Sequence, residues 1–566
     1  MFRSIKSRTK ITDLFTYQNL LFLKAVIILV ALSGAPFSAF LVGNRDHLTI
    51  SSLLPFMAFY VGVLLCLLFG LRILFGIPLA TRLGYVLGWF GLSFLSYRSI
   101  ADSLDIVLTA PSALLRIIFW ILLTGIVTYI LWVYCVKQRL QQIILWFSLL
   151  FFIIPLIQYS IISSTDVEPT LSNITESNAN AAIWTDPPDI YFLLVDNYAR
   201  DDVLKYQFEI DTTDFLETLK DQYFVVADRA LSAHPMTWLS LPAIFEQEYQ
   251  VLPQDSGPIP TQREQTPIMA GTNRTYRILA NQGYQFVTAT AHNLALCDPS
   301  PIQDIESCVG DSPDEARDLR AATIRYELLS RTPIPGLIVR NLLPDAIVTR
   351  LIGAEGRWND HSVGGKAFRS TDLLAAVNNS KQMNPDSPVF TFAHMLYAHP
   401  PFTLDANCSY MSTLAIKSFL DELRGSAYID AYRMGVECTQ KQLLDLISQI
   451  DSSAVVIIQS DHGPGHGIND QLDSRLENLD NPGVPIDSIW KRAAVFSAVR
   501  LPKRCSADVP DTYAGVNTFK VVFACISGQP VGLQPDLSFW AWYTHEEVTD
   551  ISGLLHYYEP SIQAES

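Results

Sequence analysis

An aspartate and a histidine stand directly after an apolar run in the carboxyl-terminal half of the chain. The run Val455–Gln459 has the composition of a buried strand, and Ser460, Asp461 and His462 lead from it into a glycine-rich stretch. Open α/β sheets place their sites at the carboxyl ends of strands, and a carboxylate beside an imidazole supplies two metal ligands. A single pair of this kind is more often an ordinary loop feature, so the prediction of a metal site depends on partners from other segments.

A second carboxylate, Asp196, occupies the same kind of position. It ends the apolar run of the segment DIYFLLVDNYARDDVL, so both aspartates are expected at strand ends. A turn or helix-cap role for Asp196 is an equal alternative from this segment alone. Arg200, in the same segment, is a candidate for binding an anionic substrate.

A threonine stands where a helix is expected to begin. In the segment LSAHPMTWLSLPAIFEQEY, Pro235 interrupts the preceding chain, and the pattern predicts an amphipathic helix that starts near Thr237. The Thr237 hydroxyl would then lie at the positive end of the helix dipole, where an anion or a developing alkoxide is stabilised. Simple capping of the helix by Thr237 is the commoner alternative.

Three further histidines are candidates for contact with a substrate. His394 lies at or near the end of the predicted strand in VFTFAHMLYAHPPF, and His399 lies in the loop beyond it. They could hold a second cation or a substrate oxyanion, and His399 is the better candidate because His394 could be a buried structural residue. His466, shortly after His462, is predicted to contact substrate as well.

The amino-terminal part of the chain is strongly apolar. Of 566 residues, 49% are hydrophobic, and the mean hydropathy is +0.21, which is too apolar for an ordinary soluble enzyme. Five apolar runs have the length that a membrane span requires. They cover residues 19–42, 52–76, 80–97, 113–135 and 142–163. The sequence therefore predicts a five-span transmembrane domain over residues 1–163.

Basic residues near the ends of these runs predict the orientation, because Lys and Arg are retained on the cytoplasmic side. The larger group of basic residues is Arg3, Lys6, Arg8, Lys10, Arg72, Arg82, Lys137 and Arg139; the smaller group, at the opposite ends, is Arg45, Arg98 and Arg116. We therefore expect the chain to cross the cell membrane several times, with its amino terminus in the cytoplasm. An odd number of spans would place the rest of the chain in an extracytoplasmic or periplasmic space.

The remaining residues are predicted to form one further domain. Residues 164–188 are polar and end in two prolines, which is typical of a linker. Beyond them, strand-like runs alternate with helical patterns such as 213–221 and 427–450, which favours an α/β fold with a mostly parallel central sheet over residues 189–566. The strand-like runs are 189–195, 223–227, 284–289, 388–393 and 454–459.

Cysteines and charge agree with an exported domain. Six of the eight cysteines follow the linker, and an even count there fits an oxidising compartment. Pairing of nearest neighbours favours disulfides 297–308, 408–438 and 505–525, although six cysteines allow many other connectivities.

The two parts of the chain also differ in charge. Residues 1–163 carry 12 Lys and Arg against 4 Asp and Glu, whereas the rest of the chain carries 28 Lys and Arg against 52 Asp and Glu. So acidic a domain argues against nucleic acid as a partner, and a phosphate or sulfate substrate would need a local cation.

Taken in order, these segments resemble the sulfatase-like branch of the alkaline phosphatase superfamily. The resemblance is greatest to its membrane-anchored members, the lipoteichoic acid synthases and the lipid A phosphoethanolamine transferases. It rests on Asp196, the T-x-x-S-x-P pattern of residues 237–242, the histidine segment and the SDHG motif of residues 460–463.

The resemblance implies a set of roles. Thr237 would be the nucleophile, and one divalent ion, Zn²⁺ or Mn²⁺, would be bound by Asp196, Thr237, Asp461 and His462. His399, with His394 before it, would contact substrate or a second metal. Three departures leave the substrate open: those families carry glutamate where Asp196 stands, the transferases have disulfides beside the nucleophile that this chain lacks, and their later histidine is matched by nothing clearer than His466.

The resemblance also implies a reaction class. A transferase would move a phospho-headgroup from a phospholipid or other lipid-linked donor to a glycan or lipid acceptor of the cell envelope, through a covalent threonine intermediate. The alternatives are a hydrolase of the same fold, acting on phosphodiesters or sulfuric esters, and an inactive membrane-anchored binding protein. The cysteine or serine motif of true sulfatases is not matched, because the nearest string, from Cys297, lacks its arginine.

Overall fold

The computed structural model describes most of the chain. The described residues are 2–44, 50–101, 113–134, 137–165, 184–255, 259–290, 307–309, 324, 328, 331–334, 370–400, 402, 404–409, 426–465, 486–502, 509–510, 514–530, 532–541 and 548–553. The chain forms two compact units. The helical unit comprises Met1–Thr170 with Arg320–Gly353, and the sheet unit comprises Leu171–Leu319 with Ala354–Ser566. The domain boundaries drawn from sequence stay a prediction, and they did not include the return of residues 320–353 to the helical unit.

The described residues of the helical unit form five long helices. Their bounds are Phe2–Gly43, Ile50–Phe75, Ile77–Leu95, Ala113–Tyr134 and Gln138–Thr165. Four of these described helices are long and apolar enough to cross a membrane, over Tyr17–Gly43, Ile50–Phe75, Leu115–Tyr134 and Gln138–Ile161. The fifth described helix, Ile77–Leu95, is less apolar than these four, and the five-span domain stays a prediction. Arg82 and several small and polar residues lower the hydropathy of Ile77–Leu95.

The helix Ile77–Leu95 packs closely against the first helix. A Cβ added to Gly84 would lie 2.9 Å from the Cβ of Ala25, and one added to Gly88 would lie 3.0 Å from the Cα of Leu29. Approach of helix backbones through small residues is typical of packing between helices in membranes. The small residues that weaken this helix as a lipid-facing span thus allow contact with its neighbour.

A short return of the chain packs on one end of these helices. Ile324 and Leu328 belong to a buried cluster that also contains Phe37, Leu53 and Tyr159. Apolar contacts of this kind explain why part of residues 320–353 belongs to the helical unit although the chain on either side of it belongs to the sheet unit.

The described part of the sheet unit contains a seven-stranded sheet in the order β2-β7-β6-β1-β5-β3-β4. The strands are β1 Ile190–Val195, β2 Phe224–Val226, β3 Gln285–Ala289, β4 Ser307–Val309, β5 Val389–Met395, β6 Val455–Gln459 and β7 Ser497–Arg500. β1 is parallel to β5 and β6, and β3 is parallel to β5 and β4, whereas β7 is antiparallel to β6 and β2. The predicted mostly parallel sheet is confirmed, and every strand-like run forms a strand.

Helices lie between these strands along the sequence. Their bounds are Asp201–Phe208, Thr213–Asp221, Thr237–Glu246, Gln262–Met269, Arg274–Asn281, Ser370–Met383, Ser426–Gln449, Ile486–Ala493 and Thr518–Ser527. A two-stranded pair, β8 Phe539–Trp540 and β9 Thr549–Asp550, lies outside the main sheet. Strand β1 is buried along its whole length, as expected for a central parallel strand covered on both faces. Because β1 and β6 are parallel neighbours, the residues that follow them emerge at one edge of the sheet.

One predicted disulfide is confirmed. Cys408 and Cys438 are bonded, 30 residues apart in sequence. Cys525 also forms a disulfide, but Cys505 and Cys297 lie outside the described residues, so the pairings 297–308 and 505–525 stay predictions.

Candidate active site

Asp196, Asp461 and His462 form a buried cluster at the carboxyl edge of the sheet. Asp196 follows β1 directly, and Asp461 and His462 follow β6 after Ser460. One potential ligand atom from each of the three lies within 4.8 Å of the others. Their exposed fractions are 3%, 0% and 2%, so a cation bound there would be removed from bulk water.

The side chain of Thr237 points at this cluster. A helix begins at Thr237, as expected from sequence, but its N-cap residue is Met236 rather than Thr237. The hydroxyl is therefore not used as a cap, and Thr237 Oγ1 lies 3.1 Å from His462 Nε2. The first backbone N–H groups of a helix have no partner within the helix and favour negative charge beside them. Thr237 thus combines a hydroxyl directed at the cluster with an environment that stabilises its anion.

The ring of His462 is held so that Nε2 faces the cluster. His462 Nδ1 lies 3.2 Å from the carbonyl oxygen of Gly463, which can only accept a hydrogen bond, so Nδ1 is the donor nitrogen. Nε2 then carries the lone pair, and it lies 3.7 Å from Asp196 Oδ1 and 3.5 Å from Asp461 Oδ2. Burial lowers the pKa of His462 well below its usual value, and the nearby charge of Arg492 lowers it further. A neutral imidazole with this tautomer is the form that binds metal.

Two carboxylate oxygens in the cluster have no hydrogen-bond partner. They are Asp196 Oδ1 and Asp461 Oδ2, and both are buried. Burial raises the pKa of Asp461 well above its usual value, and the charge of Asp196 raises it further. Burial also opposes ionisation of Asp196, but His399 and the hydrogen bond from His394 outweigh it and lower the Asp196 pKa. Paired buried carboxylates need a proton or a cation between them, so these residues fit a divalent metal ion.

His394 and His399 have different positions. His394, at 2% exposure, lies at the end of β5, and its Nε2 is 3.0 Å from Asp196 Oδ2. It therefore orients Asp196 and leaves Oδ1 directed at the cluster. His399 lies in the loop that follows β5, is only partly buried, and is close enough for its charge to lower the pKa of Asp196. His399 is thus the histidine that a substrate could reach.

Arg200 is not among the residues of the cluster. Arg200 donates two hydrogen bonds to Asp202, of 2.8 and 2.7 Å, and one of 3.1 Å to the carbonyl oxygen of Ala230. These bonds fix the start of the helix Asp201–Phe208, and a role of Arg200 in substrate binding stays a prediction. His466 lies outside the described residues.

The sulfatase family model matches residues 188–490. The chain belongs to the sulfatase family. The matched range contains all of the residues that form the cluster, together with Thr237 and both histidines of the β5 segment. Members of this family within the alkaline phosphatase superfamily are hydrolases and transferases, so this sulfatase-family chain is an enzyme of that class.

Several solved structures are similar to this sulfatase-family chain. The integral membrane protein lipooligosaccharide phosphoethanolamine transferase A from Neisseria meningitidis is 12% identical, with a TM-score of 0.38, over 89% of this chain and 95% of that one. The zinc complex of the periplasmic domain of EptC from Escherichia coli is 11% identical, with a TM-score of 0.35, over 65% and 93%. The lipoteichoic acid synthase LtaP from Listeria monocytogenes is 11% identical, with a TM-score of 0.35, over 63% and 76%. A search of curated proteins found no match.

Ser240, the serine of the T-x-x-S-x-P pattern, has a structural role in this sulfatase-family chain that the sequence did not indicate. Its hydroxyl donates to the carbonyl oxygen of His234 and lies 3.0 Å from the hydroxyl of Ser232. Ser232 in turn lies 2.7 Å from the carbonyl oxygen of Asp461. The helix that carries Thr237 is thereby connected to the backbone of a cluster residue. Only the spacing of Ser240 from Thr237 could have indicated this.

Asn197 was also missed. It has φ of 64°, a left-handed conformation that asparagine tolerates better than most residues, and its Nδ2 donates to the carbonyl oxygen of Ala398 over 2.8 Å. Asn197 therefore connects the residue after Asp196 with the residue before His399. The pair Asp196-Asn197 after an apolar run was the signal for it.

Proposed function

We propose that this protein is a metal-dependent transferase that moves a phospho-headgroup from a lipid-linked donor to an acceptor of the cell envelope. Thr237 forms the covalent intermediate. Asp196, Asp461, His462 and the Thr237 oxygen hold one divalent ion, Zn²⁺ or Mn²⁺, and His399 contacts the substrate or a second ion. The observation that carries this proposal is the position of Thr237 Oγ1, 3.1 Å from His462 Nε2, beside two buried carboxylate oxygens without partners.

The metal supplies one property that the side chains lack. A divalent ion held by these groups would lower the pKa of the Thr237 hydroxyl and neutralise charge on a phosphoryl group. Both Zn²⁺ and Mn²⁺ accept carboxylate and imidazole ligands. The buried carboxylates and the neutral imidazole of His462 support this assignment.

The residues of the chain perform the bond changes. The oxygen of Thr237 bonds to the phosphorus of a phosphodiester, its proton is released to solvent, and the bond from phosphorus to the lipid oxygen breaks. In this proposal His399 gives a proton to that leaving oxygen. The start of the helix Thr237–Glu246 stabilises the negative charge of the phosphoryl group. The oxygen of an acceptor hydroxyl then bonds to the phosphorus and gives its proton to His399, while the bond from phosphorus to Thr237 breaks and the Thr237 oxygen takes up a proton from solvent.

The membrane helices support a lipid as donor. Four described helices are long enough to cross a bilayer, and an enzyme anchored in the bilayer meets lipid substrates at high effective concentration. We propose that all five described helices of the helical unit cross the bilayer, so that the amino terminus is cytoplasmic and the sheet unit is extracytoplasmic or periplasmic, where its disulfide is stable. The acidic charge of the residues beyond 163 argues against nucleic acid and favours a glycan or lipid acceptor.

Two alternatives use the same fold. A hydrolase, acting on phosphodiesters or sulfuric esters, would pass the group from Thr237 to water instead of an acceptor. A binding protein without activity would retain the fold but would not form the intermediate. The unpartnered oxygens in the cluster favour an active enzyme over the binding protein, because a buried site of this kind is costly to maintain without a cation.

The decisive experiment traps the intermediate. The purified full chain is loaded with Mn²⁺ or Zn²⁺ and incubated with vesicles that contain phosphatidylethanolamine and phosphatidylglycerol, and the peptide that contains Thr237 is analysed by mass spectrometry. We expect Thr237 modified by a phosphoethanolamine or glycerophosphate group and released diacylglycerol, with the Thr237→Ala variant folded but inactive. Retention of wild-type turnover by Thr237→Ala would refute the mechanism. Parallel assays with para-nitrophenyl sulfate and with added glycan or glycolipid distinguish a sulfuric ester hydrolase, a phosphodiesterase and a transferase.

A further inference from the structure

Arg492 binds both the loop that leads into the helix of the proposed nucleophile and the loop that carries two of the proposed metal ligands, Asp461 and His462. It lies near the end of the helix Ile486–Ala493 and is only 9% exposed. Its Nε donates to the carbonyl oxygen of Pro235 over 2.6 Å, and its Nη1 donates to the carbonyl oxygen of Gly463 over 2.8 Å. Pro235 precedes Thr237 by two residues, and Gly463 follows His462. One guanidinium therefore holds both loops.

The loop after β6 is shaped to fit this helix end. The backbone N–H of Gly463 donates to the carbonyl oxygen of Arg492 over 2.8 Å, so the two residues are bonded in both directions. A Cβ on Gly463 would overlap the carbonyl oxygen of Lys491, and one on Gly465 would lie 3.1 Å from Arg492 Nη1. The glycines after His462 thus permit the loop to lie against Arg492.

The hydrogen bonds continue from Arg492 to the reacting atoms. The carbonyl oxygen of Gly463 accepts from Arg492 Nη1 and also from His462 Nδ1, whose ring presents Nε2 to Thr237. On the other side, Pro235 is joined through Met236, the N-cap residue, to Thr237. A closed ring of contacts thus runs from Arg492 through both loops and meets between Thr237 and His462.

We propose that Arg492 is a positioning residue that sets the distance between Thr237 and the proposed metal ligands. The inference rests on the proposed function, but the contacts of Arg492 stand independently of which substrate is used. Two donors on a planar group reach two carbonyl oxygens at once, whereas a lysine amine in the same place can replace only part of this arrangement. The positive charge of the Arg492 guanidinium can be buried because its hydrogen bonds to two backbone carbonyl oxygens replace the hydrogen bonds that it would make to water.

The test compares Arg492→Lys and Arg492→Gln with a matched control, Arg500→Gln. Arg500 is 5% exposed and donates to the carbonyl oxygen of Asp451 over 2.9 Å, at the opposite end of β6 from the cluster. Each full-length variant is saturated with Mn²⁺ and assayed with bis(para-nitrophenyl) phosphate for kcat and KM. The metal content and the Tm of each variant are measured in the same preparation.

We expect Arg492→Gln to reduce kcat by about 100-fold at saturating metal with KM changed by less than about threefold, because the reacting atoms are misplaced while the binding surface is kept. Arg492→Lys should recover part of kcat, and methylguanidinium should partly rescue an Arg492→Ala variant, whereas urea should not. Arg500→Gln should lower Tm with kcat unchanged. If Arg492→Gln does not fold, the proposal is tested by Arg492→Lys only. A kcat below that of the wild type then supports the proposal, and a kcat equal to that of the wild type refutes it.

Other results would also refute it. Equal loss of kcat in Arg492→Gln and Arg500→Gln at equal loss of Tm would show a general effect on stability. A loss confined to KM would place Arg492 in substrate binding. If the wild type itself forms no phospho-threonine, the proposed function fails; the positioning role is then judged by Mn²⁺ affinity alone, and an unchanged affinity in Arg492→Gln refutes it.

Discussion

Thr237 Oγ1 lies 3.1 Å from His462 Nε2, although the two residues are 225 positions apart in sequence. The distance is set by two elements: the helix that begins at Thr237 and the loop that follows β6. His462 cannot turn away, because its Nδ1 is bonded to the carbonyl oxygen of Gly463. The lone pair on Nε2 and the hydroxyl oxygen are therefore both available to one cation between them.

Removal of one charge from the cluster should reduce metal binding. In Asp461→Asn the unpartnered oxygen Oδ2 is replaced by a neutral group of the same size, so we expect metal affinity to fall at least about tenfold with the fold retained. Bound Zn²⁺ and Mn²⁺ are measured by elemental analysis after dialysis against a defined free metal concentration. Asp430→Asn, an exposed acid paired with Arg433, is the control and should bind as the wild type does. Equal metal content in both variants would contradict the site.

Stabilisation by the metal should increase with pH. The pKa of Asp461 is raised in the folded protein, so without metal its proton favours the folded state at low pH, and this contribution is lost as the pH rises. A cation must displace that proton, so its binding improves as the pH rises. We expect the increase in Tm on addition of Mn²⁺ to be larger at about pH 8 than at about pH 5. A shift in Tm that is constant or smaller at high pH would contradict this, and Asp461→Asn should remove most of the dependence.

The sequence was sufficient to predict five of the seven strands described in the main sheet, the start of the helix at Thr237 and the proximity of Asp196 to Asp461, but not β4 or β7. Those predictions depend on local patterns: apolar runs, a proline before a helix and the shared edge of parallel strands. The roles of Arg492, Ser240 and Asn197 could not be predicted, because each depends on a hydrogen bond to a distant carbonyl group. The packing of Ile324 and Leu328 against residues of the membrane helices could not be predicted either, because an apolar side chain does not indicate which apolar surface it will contact.

Loss of the hydrogen bond from His394 should weaken metal binding without removal of a ligand. His394 Nε2 is bonded to Asp196 Oδ2, so His394→Phe leaves that oxygen without a donor and lets the carboxylate rotate. We expect metal affinity to fall about 10–100-fold, as for other residues that orient metal ligands. Titration of the metal-free protein with Mn²⁺ measures it. His394→Gln, which retains a donor, should lose less, and equal affinities in both variants and the wild type would exclude this role.

The disulfide between Cys408 and Cys438 should stabilise the segment after His399. It joins that segment to the helix Ser426–Gln449 across a separation of 30 residues. Replacement of both cysteines by serine should lower the free energy of unfolding by about 2–4 kcal/mol, because the unfolded chain becomes less restricted. Denaturant unfolding of the wild type in oxidised and reduced form, and of the double variant, measures the difference. If reduction destabilises the double variant as much as the wild type, another disulfide is responsible.

Gly435 should be required for the position of His399. A Cβ on Gly435 would overlap the carbonyl oxygen of Tyr397 and would lie 3.0 Å from the Cα of Ala398, so Gly435→Ala must displace the loop that leads to His399. The hydrogen bond from Asn197 to Ala398 would then be strained or lost.

We expect Gly435→Ala to lower the free energy of unfolding by about 1–3 kcal/mol, as overpacking does, and to reduce turnover of a phosphodiester. Metal content should stay near that of the wild type, because Asp461, His462 and Thr237 are held by other contacts. Gly532→Ala is the control, since a Cβ there meets nothing within 4 Å. Full activity in Gly435→Ala would mean that the loop can move without harm and that His399 does not act on the substrate. Loss of metal together with activity would instead mean that displacement of Ala398 reaches Asp196 through Asn197.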